Sequence, residues 1–483
     1  MDLRQFIAVA DVAGYLVTVD READPHLEMA RLIAELDGRL VLFDRVRGCA
    51  HRVVAGVCSA RRYFGLALDT PPEQLIFRLA DALAAPRPNP LTPFPAREGG
   101  TALSSSVWEG GTGLPSFERE GGSALASSAR EGGSVYPSPG WGGAGGEVPC
   151  QEVVEPTVNL EAIPFLTHYA ADGGAYATAA VAFIDDPGTG PNASFHRLLR
   201  LDRTRVAARL VERRGTETAW RRSGPAGLPV AICIGLPLHV LLAASMSPPP
   251  GVDELTIAQA LAATPVATCG NGIRVPADAE FVLEGRITHE LVDEGPFVDL
   301  TGAYDFVRRQ PVIEIDRVTH RRDAIYQALL PGRLEHRLLM GMPREPTIYA
   351  EANKVARCLN VHITPGGASW LHAVVQIAKQ GPEDGRRAIE AAFRGHGSLK
   401  HVVVVDEDVD IFDPHDVEWA VATRFQADRD LVVFGDQPSS SLDPSALHVP
   451  GQKSRTAKMG LDATIRWDTP TGPRDPGAYR RMW

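Results

Sequence analysis

Leu228-Pro229-Val230-Ala231-Ile232-Cys233-Ile234-Gly235-Leu236-Pro237-Leu238-His239-Val240-Leu241-Leu242-Ala243-Ala244-Ser245-Met246 is the longest uncharged apolar run of the chain. Its nineteen residues match the length of a membrane-spanning helix, so its reading decides between a membrane span and a globular fold. Pro229, Gly235, Pro237 and His239 interrupt it. Proline inside a helix removes a hydrogen bond and clashes with the preceding turn, and glycine next to proline punctuates turns. The run therefore predicts a buried strand over 230–234, a turn, and a helix that starts near Pro237.

The flanking sequence extends this strand-and-turn reading. Residues 150–310 hold short apolar runs (175–184, 230–234, 281–287) separated by Gly and Pro, the pattern of a β-rich domain. From about Pro311 strand-like and helical stretches alternate: 312–315, 402–405 and 431–434 read as strands, 370–379 and 388–393 as helices. Such alternation predicts an α/β domain. At the N-terminus Leu3, Phe6, Ile7 and Ala10 follow helical spacing. A second helix is expected from an Asp24 N-cap and Pro25, carrying Met29, Leu32, Ile33 and Leu36 and ending at Gly38. Strands over 40–43 and 53–57 and a helix over 71–83 complete a compact N-terminal α/β region.

The chain has 483 residues, which suggests about three domains. Of its 46 glycines, fourteen lie in 97–148 with nine serines, and Glu-Gly-Gly recurs at 98, 109, 120 and 131. Paired glycines in each repeat would cost a helix roughly 2 kcal/mol, and there is no apolar seam. The segment is expected to be a disordered Gly/Ser-rich insertion. The expected division is thus 1–96, the insertion 97–148, a β-rich domain 149–310 and an α/β domain 311–483. A net charge of −11 argues against a non-specific nucleic-acid binder. Six cysteines without a Cys-x-x-Cys pair, and an N-terminus without a signal peptide, predict a cytoplasmic protein with reduced thiols.

Three constellations bear on chemistry. Asp406 to Asp413 has the Asp-x-Asp-x-Asp start of a calcium loop, but Ile411 and Val417 occupy the positions that need Gly and Glu. A strand end and a loop opening a helix near Asp416 is the expectation there. Nine arginines fall within 197–222. They read either as a solvated, ion-paired face or as a clamp for phosphate or carboxylate. Glu294-Gly295-Pro296-Phe297-Val298-Asp299 is a tight turn. Its two acids are either solvated or presented to one cavity, where their pKa values can be pushed apart into an acid and a base. No nucleophile elbow, His-Glu-x-x-His helix or Walker A loop is present, and Gly395-His396-Gly397 is too short for a dinucleotide fingerprint.

Taken in order along the chain, five stretches resemble the UbiD family of reversible, non-oxidative carboxylases and decarboxylases, which use prenylated FMN. They are Pro149 to Val154, Asn192-Ala193-Ser194-Phe195-His196-Arg197, Ala244-Ser245-Met246 with Gly251 to Glu254, Glu294 to Asp299, and Asp406 to Trp419. The resemblance implies a mixed α/β fold: an N-terminal α/β region, a central split β-barrel-like flavin-binding domain and a C-terminal α/β oligomerisation domain. It implies a catalytic trio of Arg197, Glu294 and Asp299, with Glu294 as proton donor to the carbon that loses CO₂. Asn192, Ser194, Phe195, His196, Arg197, Arg214, Gly215, Ser245, Met246, Glu254 and Lys458 fall at cofactor-binding positions. Asn192 and Glu254 match two ligands of a divalent ion, Mn²⁺ or Mg²⁺, and a K⁺ site is implied near 244–246.

The same resemblance implies a flavin prenyltransferase as cofactor supplier, a homodimer or larger homo-oligomer, and no nucleic-acid or membrane partner. The substrate class it implies is an α,β-unsaturated or aromatic carboxylic acid. The composition and the insertion suit a natural-product pathway enzyme. Three departures stand out. Arg213 replaces a frequent His metal ligand, leaving Glu212 or Arg213 itself to serve there, and Ser194 and Val298 each replace Gly. They motivate the alternative of an inactive flavin-binding or assembly protein. An anion or nucleic-acid binder built on the arginine run is the third reading.

Overall fold

The fold was analysed in a computed structural model. It describes residues 1–90, 148–449, 452–469, 472–473 and 479, so the expected insertion at 97–148 lies outside the described residues except Val148.

The deciding stretch forms the strand Leu228–Ile234 and the helix Leu238–Ser245, with Pro237 as N-cap. Gly235 makes the turn between them at φ +75°, where a side chain would collide with Glu280. No described helix is long and apolar enough to cross a membrane. The strand lies inside a nine-stranded antiparallel sheet whose order is Tyr176–Ala177, Leu198–Arg200, Arg205–Ala208, Arg308–His320, Phe281–Glu294, Leu228–Ile234, Val181–Asp186, Gly190–Phe195. Val153–Val154 pairs to one side of it. The path is open rather than closed into a barrel. Its longest member, Phe281–Glu294, delivers Glu294 at its end, opposite Arg308.

The N-terminal residues build a four-stranded sheet: Leu16–Val19, Leu40–Phe43, Arg52–Ala55 and, from far along the chain, Ile325–Gln327. The helix Leu3–Val12 packs with Leu3, Phe6, Ile7 and Ala10 buried, as its spacing predicts, and Asp2 and Gln5 close a capping box. The second helix is Glu28–Glu35, three residues shorter at its start than expected. Asp24 caps a turn at His26 instead, and Leu27 adopts a left-handed φ of 67° that breaks the helix. Val41, Phe43, Val53 and Ala55 of this sheet share one apolar core with Phe281, Leu283 and Ile232 of the central sheet.

The C-terminal sheet runs Cys358–Ile363, His372–Ile377, His401–Asp406, Arg455–Asp462, Leu431–Pro438, covered by Asp384–Gly395 and Pro414–Arg424. Two expectations are corrected here. Residues 370–379 are not a helix but contain the strand His372–Ile377, paired on both sides. A central strand buried on both faces is a continuous apolar run, which periodicity cannot tell from a buried helix. Residues 312–315 belong to Arg308–His320 of the central sheet, so the boundary expected at 310/311 falls inside a strand. The Asp406–Asp413 loop opens the helix capped by Asp413, and Arg424 pairs with Asp406 and Asp408 at 3.1 and 2.6 Å. All six cysteines are free thiols.

Candidate active site

Arg197 follows the strand Gly190–Phe195 at a corner of the central sheet. Its Nε and Nη2 donate to the two carboxylate oxygens of Glu294 at 2.8 and 2.9 Å. Nη1 lies 3.6 Å from Asp299, and the guanidinium stacks 4.6 Å from the Phe297 ring. The pair rests on a small apolar cluster of Tyr176, Leu199, Ala207 and Phe297. Glu294 is fully buried, and the Tyr176 hydroxyl donates to its Oε1 at 3.2 Å. Burial lowers the Arg197 pKa, but Glu294, Asp299 and Asp305 outweigh it and the net shift is upward. Burial, then the Glu294 charge, raises Tyr176 and keeps it a phenol that donates. The geometry therefore brings together the three residues expected to act together.

Two neighbours were invisible in the sequence. Asp305, on the short hairpin Phe297–Val298 with Tyr304–Asp305, accepts from Arg197 Nη2 at 3.0 Å and from Arg308 Nη2 at 2.7 Å. His336, on the helix Leu334–Gly341, is close enough for the charges of Asp299 and Arg197 to act on it. Burial lowers its pKa, and its Nδ1 accepts from the Gly332 N–H at 3.1 Å. The loop before the strand Tyr176–Ala177 closes one side: the Gly173 N–H donates to Pro296 O, and a Cβ on Gly173 would lie 2.4 Å from the Gly295 carbonyl oxygen.

A second group lies along the strand Gly190–Phe195, where alternation puts Asn192 and Ser194 on one face. Asn192 Nδ2 donates to Ser194 Oγ (3.2 Å) and Thr216 Oγ1 (3.3 Å). His196 Nδ1 donates to Arg209 O at 2.9 Å, and its Nε2 meets Ser194 and Thr216. Burial lowers the His196 pKa, which fits this neutral tautomer. Gly215 is pressed against Asn192, where a Cβ would sit 2.6 Å from Oδ1. Glu254 begins the helix Glu254–Leu261 and reaches back to accept the Ala193 N–H at 2.8 Å. Burial pushes its carboxyl up to about 7, and no described Arg or Lys forms an ion pair with it. Phe195 ends the strand, while Ser245 and Met246 close the helix Leu238–Ser245.

The remaining expected residues are placed differently. Glu212 is held by Arg209, and Arg213 takes a left-handed turn with its N–H on Glu217. Arg214 caps the helix Gly215–Arg222. Lys458 sits on the C-terminal sheet, donating to Gly397 O at 2.7 Å. Among the described residues no group of three or more His, Cys, Asp or Glu could hold a metal ion. Val298 is buried beside Asp299.

This fold, with a buried Arg–Glu pair at the end of its longest strand, belongs to a known class: the chain is a member of the UbiD family of carboxy-lyases. Family models of the 3-octaprenyl-4-hydroxybenzoate carboxy-lyase N-terminal, Rift-related and C-terminal domains match residues 7–83, 144–334 and 337–463. The anhydromevalonate phosphate decarboxylase of Methanosarcina mazei is 39% identical over 96% of this chain and 96% of its own length. That of Methanocaldococcus jannaschii is 45% identical over 65% of this chain and 74% of its own. The structure of the UbiD-class enzyme HmfF from Pelotomaculum thermopropionicum in complex with FMN superposes with a TM-score of 0.83 at 34% identity, covering 100% of this chain and 97% of that one. An evolved dimeric form of HmfF in complex with prFMN gives 0.78 at 33% identity, covering 100% and 98%.

Proposed function

We propose that this carboxy-lyase uses prenylated FMN to decarboxylate an α,β-unsaturated carboxylic acid, and that anhydromevalonate phosphate is the substrate to test first. The buried Arg197–Glu294 pair with Asp299 beside it carries the reading. Dehydrating a 3-hydroxy acid such as mevalonate gives an unsaturated acid, so the relatives' substrate fits the class the residues suggest. An aromatic acid is the second class to screen. The natural-product role suggested by composition draws no support from these relatives.

When bound, the flavin supplies the electron sink for breaking the bond to the carboxylate. The protein residues hold the substrate and move the proton. Nε and Nη2 of Arg197 are committed to Glu294, and Nη1, held more loosely at 3.6 Å from Asp299, is the group to orient the substrate carboxylate. As CO₂ departs, the bonding pair stays on carbon and is capped by a proton from Glu294. Oε1 of Glu294 accepts from both Arg197 and Tyr176 and Oε2 from Arg197 alone, so Oε2 has the position left to deliver that proton. A complete trio in contact argues against an inactive relative.

The residues fit the cofactor. Arg214 and Lys458 have no carboxylate partner among the described residues and would hold its phosphate, while Asn192, Ser194, Phe195, His196, Gly215, Ser245 and Met246 would line the rest of it. Asn192 and Glu254 offer two oxygen donors. They would hold a hard divalent ion (Mn²⁺ or Mg²⁺), which would neutralise negative charge at the phosphate. Backbone oxygens near 244–246 suit K⁺. A flavin prenyltransferase would supply the cofactor, and the assembly is a homodimer or larger homo-oligomer, one structural neighbour being an evolved dimeric form.

The test is co-expression with a flavin prenyltransferase, cofactor mass, and CO₂ release from anhydromevalonate phosphate. Glu294→Gln should abolish CO₂ release and keep the flavin absorbance. Turnover retained in that variant would remove Glu294 from its role, and holo-protein that releases no CO₂ from any unsaturated or aromatic acid would overturn the reading.

A further inference from the structure

The helix that carries His336 runs on through the turn Met342–Arg344. Arg344 at its end is a cation with no counter-charge. Among the described residues no carboxylate lies within ion-pair distance of Arg344, Arg214 or Lys458, although most arginines of this chain have one. Arg344 Nη2 donates to Ser247 Oγ at 2.7 Å, its Nε is buried without a partner, and its guanidinium lies 5.8 Å from the Trp370 ring. Burial, then the Arg214 charge, pushes it down to about 10.

The acids in its surroundings are taken by other cations, Glu345 by Arg61 and Asp443 by Lys400. Trp370 packs edge-on against His396 at 4.4 Å and donates to Ser440 Oγ at 3.0 Å. Burial, then the charges of Arg344 and Lys458, push His396 down to about 3, so it is neutral, and its Nε2 has no partner. Burial, then Lys453, pushes Lys458 down to about 8. Gathering cations away from water without an acid is costly through desolvation and mutual repulsion. An anionic ligand offsets both costs, and a guanidinium suits the tetrahedral face of a phosphate.

The position of Arg344 says which phosphate. Arg214 and Lys458 are the residues proposed for the phosphate of the flavin. Arg344 instead shares a continuous segment with His336, which faces Asp299 and Arg197. Eight residues of helix and 3₁₀ turn separate them by roughly 12–14 Å. A short carbon chain, with its acid on the His336 side of this segment and a phosphate at Arg344, is of that order of length once a hydrogen bond is added at each end. We propose that Arg344, oriented by Ser247, recognises a phosphate ester at the far end of the substrate. This specificity role rests on the decarboxylase reading above.

The test compares Arg344→Met, Arg344→Lys and Ser247→Ala with the parent. FMN affinity is measured by flavin fluorescence. Binding of anhydromevalonate phosphate and of its dephosphorylated form to the FMN-loaded protein is measured by calorimetry, and KM and kcat are measured on the prenylated holoenzyme. Arg344→Met should weaken the phosphorylated ligand about 10- to 100-fold, the range of one charge-assisted contact. It should leave the dephosphorylated ligand and FMN within about twofold. Arg344→Lys should recover part of the loss, and Ser247→Ala, which keeps the charge, should cost a few-fold in KM with kcat held. An FMN affinity that falls in step with the ligand would assign Arg344 to the cofactor phosphate and overturn the proposal. Equal losses for both ligand forms, or no preference for phosphate in the parent, would overturn it too. If phosphate preference is seen without CO₂ release, the decarboxylase reading fails while the anion site stands. CO₂ release from unphosphorylated acids without phosphate preference gives the reverse.

Discussion

Asp305 shares the Arg197 guanidinium with Glu294 and is itself gripped by Arg308. Burial raises its pKa, but Arg308 and Arg197 outweigh it and hold the carboxyl below its ordinary range. It therefore stays ionised throughout neutral pH and pins Nη2. Asp305→Asn keeps the shape and removes the charge. The expected outcome is a roughly tenfold fall in kcat/KM, the scale of one weakened charge-assisted contact. FMN affinity should stay within twofold, and steady-state kinetics with flavin titration would check both. At this scale the sequence was legible where residues stand in a run that resembles the family's: the structure brings together Arg197, Glu294 and Asp299, the three that the resemblance implied. Asp305 and His336 belong to no such run. A hairpin and a helix terminus bring them to the site, and neither event leaves a local signal.

The helix Leu334–Gly341 is fixed at its start by Glu335, whose carboxylate accepts the N–H groups of Gly56 (2.7 Å) and Cys58 (3.1 Å). Burial pushes this carboxyl up to about 7. The folded protein therefore binds a proton between about pH 4.5 and 7 that the unfolded chain does not hold. Stability from this group is full below the unfolded value and is lost as pH rises through 7, by about 3 kcal/mol at most. Urea unfolding at pH 5, 6, 7 and 8 should show this slope in the parent and a flatter profile in Glu335→Gln. Because the clip positions His336 and Arg344, the variant should also raise KM. Elements with one buried face, such as Leu3–Val12 and Asp384–Gly395, were readable from spacing. His372–Ile377 was not, because an element covered on both sides shows no polar face to count from.

Across the whole molecule, the junction between the N-terminal helix Arg61–Leu68 and the C-terminal region is a buried ion pair. Arg61 Nη1 lies 2.8 Å from both oxygens of Glu345, which also accepts the Ile363 N–H and meets His362. Phe412 covers the guanidinium at 5.0 Å. Removing one partner strands the other charge, so Arg61→Ala should lose about 3–5 kcal/mol, visible as a lower urea midpoint and Tm. The order of the domains was legible in composition and in the family resemblance. The seams were not, since Arg308–His320 and Ile325–Gln327 carry the chain from the central sheet into the N-terminal one without any break in pattern.

That late strand has a consequence during synthesis. Arg52–Ala55 pairs in parallel with Ile325–Gln327, so the first sheet is one strand short until roughly 270 further residues have left the ribosome. At about 5–20 residues per second the wait is roughly 15–55 s. Throughout that time an apolar strand edge is open to any passing chain. The nascent protein thus depends on something to shield that edge, and fragments ending before residue 325 should be the ones that aggregate.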